Sequence, residues 1–208
     1  TAGQSFGAWN VSGLNMTLNG DANDYVGKGM AGGNIVIQSP KELKTIASST
    51  VAIGNTCLYG ATGGRLFVEG IVGERFAVRN SGCIAVVEGS GDHACEYMTG
   101  GAVIFLGKVG NNFGAGMTGG LSFVYDDNQM LDSNINAESV ELVKIKPGKY
   151  RKHEEFIHKQ IKSHFAKTGS LRAKQILDNF CDEVKKFYII KPKSSNIDDL
   201  LIIINKAA

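Results

Sequence analysis

A chain of 208 residues with a formal net charge of +2, 43% apolar and 20% charged residues, has the make-up of a globular protein of one domain or two small ones. No apolar run approaches the roughly 18 residues that a membrane span requires, which excludes a helical membrane protein. The charge is uneven, with −2 over residues 1–126 and +4 over 127–208, but the basic residues of the second part alternate with acids and apolar positions. That is the pattern of a solvated helix face, and it argues against a nucleic-acid patch.

The anomaly in the composition is 27 Gly against 3 Pro. The first residues, Thr1 to Gly7, carry no initiator Met, no basic segment and no apolar stretch. They do not read as a signal peptide, and the expectation is a piece of a longer chain. Cys57, Cys83, Cys95 and Cys181 form no CxxC pair and no zinc or iron–sulfur spacing. Three of them are expected in strands as small apolar residues, and a reduced, cytoplasmic protein is the simplest reading.

In chain order, Gly13 is followed by Leu14-Asn15-Met16-Thr17-Leu18, and Gly33 by Asn34-Ile35-Val36-Ile37. A polar stretch with a Pro, Ser39 to Thr50, reads as a loop that leaves a regular array and returns. From Gly54 to Tyr125 the chain then repeats with corners at Gly64, Cys83, Gly101 and Gly120, each followed by a short apolar run. Runs of this length bounded by Gly suit strands and are too short for stable helices. A fixed short period with glycine corners is the signature of a β-solenoid, in which each coil stacks about 4.8 Å above the last and buries its inner face against its neighbours. Coils of about 19 residues, six to seven in number, are predicted. The column Met16, Val36, Phe67, Val86, Ile104, Phe123 is expected to point into the coil.

The predicted organisation is a parallel β-helix over residues 1–126. Residues 127–208 form an edge strand and helical tail packed on it as one structural unit. Asp126-Asp127-Asn128-Gln129 breaks the repeat, and residues 139–146 alternate as an edge strand. His153 to Lys167 carries Ile157, Ile161 and Phe165 on one helical face and stops at Gly169. Ser170 is expected to cap a helix with Ala173, Ile176, Leu177, Phe180 and Val184 on one side. Phe187 to Ile190 reads as a strand, and Ser195 or Asn196 as the cap of a last helix through Leu200 to Ile204. Such a tail covers an open end or flank of the solenoid, because bare strand edges invite aggregation.

The motifs that suggest chemistry each have a plainer structural reading. Gly27-Lys28-Gly29-Met30-Ala31-Gly32 matches G-x-G-x-x-G, but a strand pattern follows it where a dinucleotide loop requires a helix. His153 and His158 lie five residues apart and point about 140° apart on a helix, too far to share a metal. Asp92, His93 and Cys95 suggest a Cys–His pair without an oxyanion device, and a surface turn is preferred. Asp21, Asn23 and Asp24 suit turn capping better than a cation site. Glu69 with Glu88 is the stacked carboxylate pair that a carbohydrate-active β-helix would need. No catalytic, cofactor-binding or metal-binding residue is assigned.

The runs Thr1 to Gly7, Gly20 to Gly33 and Gly54 to Gly64, with Thr168-Gly169-Ser170, Ile176 to Phe180 and Lys191 to Ser195, resemble the C-terminal domain of the glutamate synthase large subunit. The resemblance covers nearly the whole chain. It implies a right-handed, single-stranded parallel β-helix with a Gly-x-Gly-x-Gly pattern and no catalytic residue of its own. It further implies an NADPH-dependent oxidoreductase that joins the ammonia of glutamine to 2-oxoglutarate. In that family FMN and the 3Fe-4S cluster are held by other domains, so none is expected in this chain. The implied partners are the amidotransferase and FMN-binding domains of the same polypeptide and a small NADPH-oxidising subunit, with the β-helix as spacer. A β-helix component of another redox complex, of the kind found in formylmethanofuran dehydrogenase, and a free-standing carbohydrate-active β-helix are the alternatives.

Overall fold

The computed structural model describes residues 1–207. In chain order the elements are β1 (Asn15–Asn19), β2 (Ala31–Gln38), β3 (Val51–Ile53), β4 (Gly63–Val68), β5 (Ile71–Val72), β6 (Ser81–Val87), β7 (Gly89–Ser90), β8 (Thr99–Phe105) and β9 (Gly119–Tyr125). They are followed by α1 (Leu131–Asn134), β10 (Val140–Lys144), α2 (Arg151–Thr168), α3 (Leu171–Asp178), α4 (Phe180–Glu183), β11 (Phe187–Pro192) and α5 (Ile197–Ala207). The surplus between β2 and β3 is a 3-10 helix, Lys41–Ser49.

The coils stack as a solenoid. Six parallel strands, β1-β2-β4-β6-β8-β9, form one long sheet, and the short strands β3-β5-β7 form a second side. The third side has no strands. There the chain alternates left-handed and ordinary residues, with positive φ at Ser5, Gly7 and Trp9, at Tyr25, Gly27 and Gly29, at Thr56, Leu58 and Gly60, and so on to Asn112, Gly114 and Gly116. Two coils do this without glycine, one with φ of 58° at Arg75, 59° at Ala77 and 57° at Arg79, the next with 64° at His93, 60° at Cys95 and 52° at Tyr97. A left-handed conformation costs an L-residue roughly 1–2 kcal/mol. It persists because it places N–H groups of the left-handed residues opposite carbonyls of the coils above and below. The first left-handed residue donates upward, as Arg75 N–H to Asp92 O at 2.8 Å; the second downward, as Ala77 N–H to Cys57 O at 2.9 Å; the third upward, as Arg79 N–H to Glu96 O at 3.0 Å. An orphaned buried amide would cost about as much as the strain.

Beyond β1, the long sheet is buried on both faces, by different partners. Its inner face, with Ile35, Leu66, Ala85 and Val103 in one column, packs against Val26, Leu58 and Phe76 of the left-handed side. Its outer face carries Val36, Phe67, Val86, Ile104 and Phe123, and these lie under Phe156, Ile157 and Ile161 of α2, Ile176 of α3 and Leu201 of α5. The expected inward column is therefore the outward one. Met16 does not belong to it, since it pairs with Ile35 and Thr17 pairs with Val36. A strand buried on both faces loses the apolar–polar alternation that would orient it, so either register satisfied the sequence.

At the far end β11 returns antiparallel along β9, with Ile189 opposite Phe123, and β10 forms the edge beyond it. Gly169 ends α2 at φ 72°, Ser170 Oγ accepts from Ala173 N–H, and Asn196 Oδ1 accepts from Asp198 N–H at 2.8 Å. The single helix expected from Ala173 through Val184 is broken at Asn179, with φ −136°. Cys83 is in β6, but Cys57 and Cys95 lie on the left-handed side and not in strands.

Candidate functional site

The side chains with chemical potential are held in four places. The first is the left-handed side. Its three positive-φ columns point out, in and out again. His93 is in the first column, with Nδ1 2.8 Å from the Glu96 carboxylate and 3.2 Å from Asn112 Nδ2. Cys95 is in the second, fully buried, with its sulfur 3.5 Å from Ser122 Oγ. The backbone alternation thus separates the His–Cys pair that the spacing suggested. Burial pushes the Cys57 and Cys95 thiols up to about 12, and pushes Cys83 up as well, so all three are protonated at neutral pH and unsuited to nucleophilic work.

The second place is the corner where the left-handed side begins. Asp24 Oδ1 accepts from Asn55 N–H at 2.7 Å, Asn55 Oδ1 from Glu74 N–H at 2.8 Å, and Asp92 Oδ1 from Asn111 N–H at 2.7 Å. These carboxylates and amides cap turns one coil above another. Gly27 and Gly29 of the G-x-G-x-x-G match are left-handed residues of this side, and β2 follows them. Tyr25, in the outer first column, is 37% exposed, with Lys28 Nζ 5.2 Å from its ring centroid.

The third place holds the stacked carboxylates. Glu69 is fully buried; Lys44 Nζ lies 3.0 Å from both its oxygens and Ser39 N–H donates to it at 3.0 Å. Lys44 also donates to Thr168 O at 2.7 Å. Glu88, 3% exposed, accepts from Ser170 Oγ and lies 3.5 Å from His164 Nε2. His164 itself is buried and stacks on Phe67. These groups rivet the 3-10 helix and the turn between α2 and α3 onto the sheet, and both acids are engaged by partners within the chain. The contacts of Lys44, His164 and Ser170 with the two acids had no sequence signal, because they are made across 25 to 82 residues of chain.

The fourth place is α2 itself. His153 is buried with Nε2 3.2 Å from Ile197 O, and His158 packs on Phe180. Burial lowers the His153 pKa, partly opposed by that carbonyl and by Asp198. The two rings serve different helix contacts. Among the described residues no group of three metal-ligating side chains converges.

A groove of about 450 Å³ runs over the corner between the left-handed side and the long sheet. Its floor is backbone at Gly32, Gly63 and Gly82, with Asn34 and Arg65 the long side chains beside it. The glycines are there for coil stacking: a Cβ on Gly82 would strike the carbonyl oxygen of Thr62 in the coil before. Among the described residues no helix is long and apolar enough to cross a membrane.

Comparison with known proteins gives the family. The model of the GXGXG motif matches residues 1–193. The chain is 51% identical over 204 residues to a ferredoxin-dependent glutamate synthase of Antithamnion sp., covering 98% of this chain and 13% of that protein. It is 52% identical to ferredoxin-dependent glutamate synthase 2 of Synechocystis sp., over 93% of this chain and 12% of the relative. It is 46% identical to the NADH glutamate synthase of Schizosaccharomyces pombe, over 93% of this chain and 9% of the relative. The chain thus spans about an eighth of the length of the relatives it matches. With a family model matching nearly its whole length, the chain belongs to the GXGXG motif family, as a domain similar to those of glutamate synthases.

Proposed function

We propose that the chain is a non-catalytic spacer domain of a glutamate synthase. The parent reaction is glutamine plus 2-oxoglutarate plus two electrons and two protons, giving two glutamates. The observation that carries the reading is identity near 50% along the whole chain with proteins of that name, of which it spans only 13%. The geometry supports a structural part in that reaction, since the acids, His93 and the buried Cys are bonded within the domain or sealed inside it. The FMN and 3Fe-4S centres are assigned to other domains, and the amidotransferase and FMN-binding domains are the neighbours held at fixed separation. The relatives near 50% identity are named ferredoxin-dependent, so ferredoxin replaces NADPH as the favoured electron donor.

The test uses the complete polypeptide. Tyr25→Ala on the outer left-handed column should raise the ratio of glutamine consumed to 2-oxoglutarate converted, because ammonia then escapes between misaligned neighbours. A ratio equal to wild type, with the domain still docked, removes the coupling part of the reading. Glutaminase or glutamate synthase activity in the 208-residue chain alone would overturn it entirely.

A further inference from the structure

The two ends of the solenoid are not equivalent. At the far end the chain covers itself: β11 pairs with β9, and Phe113 N–H donates to Asn134 O at 2.9 Å. The first coil has no comparable cover. Asn34 N–H donates to Leu14 O at 3.0 Å and Gly20 N–H to Gln38 O at 2.9 Å, with Asn15 opposite Asn34. In a parallel ladder these bonds alternate, so the Leu14 carbonyl and the backbone groups of residues 16 and 18 turn toward β2, as does the Gly20 N–H. The N–H and C=O groups of Asn15, Thr17 and Asn19 then face the open edge.

The left-handed side gives a second, independent sign. In each later coil its middle residue donates downward: Gly27 to Phe6 O, Leu58 to Val26 O, Ala77 to Cys57 O, Cys95 to Phe76 O and Gly114 to Ala94 O. Gly7 holds the same position with φ 66°, and there is no described coil beneath it. Trp9, Val11 and Leu14, which are 70%, 54% and 48% exposed, cluster in this first coil, while Met16 and Leu18 are only partly covered.

We propose that β1 accepts a further parallel strand from the segment that leads into Thr1 in a longer polypeptide, completing one more coil; this rests on the reading of the chain as a domain of such a polypeptide. Ala2 N–H donates to Asp21 O at 2.9 Å, so the chain at Ala2 lies under the point where the second coil has just left β1. The residues immediately before Thr1 are one repeat earlier than β1 and so fall in the space under it. The match to about an eighth of the relatives' length leaves ample chain to fill it. The incoming strand needs apolar residues over Met16 and Leu18, which face the solenoid interior, and polar ones beside Asn15 and Thr17, which face out.

Hydrogen exchange on the complete polypeptide tests this. The amides of Asn15, Thr17 and Asn19 should exchange about 100-fold more slowly there than in the 208-residue chain. Thr17→Pro removes a single edge donor while sparing the bonds to β2. It should release Asn15 and Asn19 from protection in the complete polypeptide and leave the 208-residue chain unchanged. Equal exchange in both proteins overturns the proposal. So does protection that survives Thr17→Pro, which would mean cover by a domain surface without strand pairing. Protection in the 208-residue chain that grows with its concentration would mean a second copy and overturns it too. Glutamate synthase activity, assayed separately on the complete polypeptide, reports on the family function independently of this edge.

Discussion

The long sheet and the left-handed side are made by the same turns of chain and joined by the same direction of hydrogen bonding, yet they obey different local rules. On the sheet, once past the positive-φ corner glycines Gly33, Gly64, Gly101 and Gly120, the strands are extended and alternate residues face opposite layers. On the left-handed side the residues of positive φ face out, in and out, while those between them supply the accepting carbonyls. A strand selects its residues by shape and burial, and it disfavours glycine. The left-handed side tolerates any residue whose strain is offset by its inter-coil hydrogen bonds, so it can hold Arg75, Ala77 and Arg79 where another coil holds Tyr25, Gly27 and Gly29. One chain turn thus contains a region whose side chains decide its conformation and a region whose backbone decides it.

The largest test of that division removes a side chain from the sheet. Phe67 is fully buried between the sheet and His164, with Lys167 Nζ 5.8 Å from its ring centroid. Phe67→Ala should cost roughly 3–5 kcal/mol in denaturant unfolding, through the cavity it leaves beneath α2. A loss under about 1 kcal/mol would mean that the tail adds little to the sheet.

Next is the corner that joins the regions. A Cβ on Gly100 would strike the Ser81 carbonyl, so Gly100→Ala should cost about 1–3 kcal/mol by forcing two coils apart. Thermal melts of the variant read this directly, and an unchanged midpoint would show that the coils can shift at no cost.

The sharpest comparison uses one substitution in both regions. Arg79 is exposed and left-handed, with φ 57°. Arg79→Gly should stabilise by about 0.5–1 kcal/mol, the relieved strain less the added freedom of the unfolded chain. Thr17, exposed in β1, should lose about 0.5–1 kcal/mol on replacement by Gly. Chemical denaturation giving both variants the same sign would collapse the distinction.

The smallest effect is a pH dependence on the helix-covered face. Burial lowers the His153 pKa, so the unfolded chain binds more protons there than the native one. The stability tied to this group is full above the ordinary value of about 6.5 and is lost as pH falls through the lowered native value. His153→Gln should flatten the stability–pH curve in that acidic window. A mutant curve parallel to wild type there would assign the slope to other groups.

Much of the molecule was legible from residue order. The period of the corners, the apolar runs after Gly33, Gly64 and Gly101, the stop at Gly169 and the caps at Ser170 and Asn196 each depend on near neighbours, so local rules reach them. Gly27 and Gly29 were visible too, within the G-x-G-x-x-G match. Their meaning was hidden by the coils that reach the same backbone with Arg75, Ala77, His93 or Cys95, where conformation is imposed from the coils above and below.

The chain's residue order alone therefore determined that it coils, how often, where α2 ends and where α3 and α5 begin, because steric freedom at glycine, capping and apolar spacing act within one turn. Tertiary structure alone decided which face of the long sheet looks inward. Both faces are apolar, and the choice was made by a tail that lies far along the chain. It also decided that Glu69 and Glu88 are rivets: Lys44, His164 and Ser170 approach them only once the tail has folded back, and a buried carboxylate takes its role from the cation or donor that reaches it.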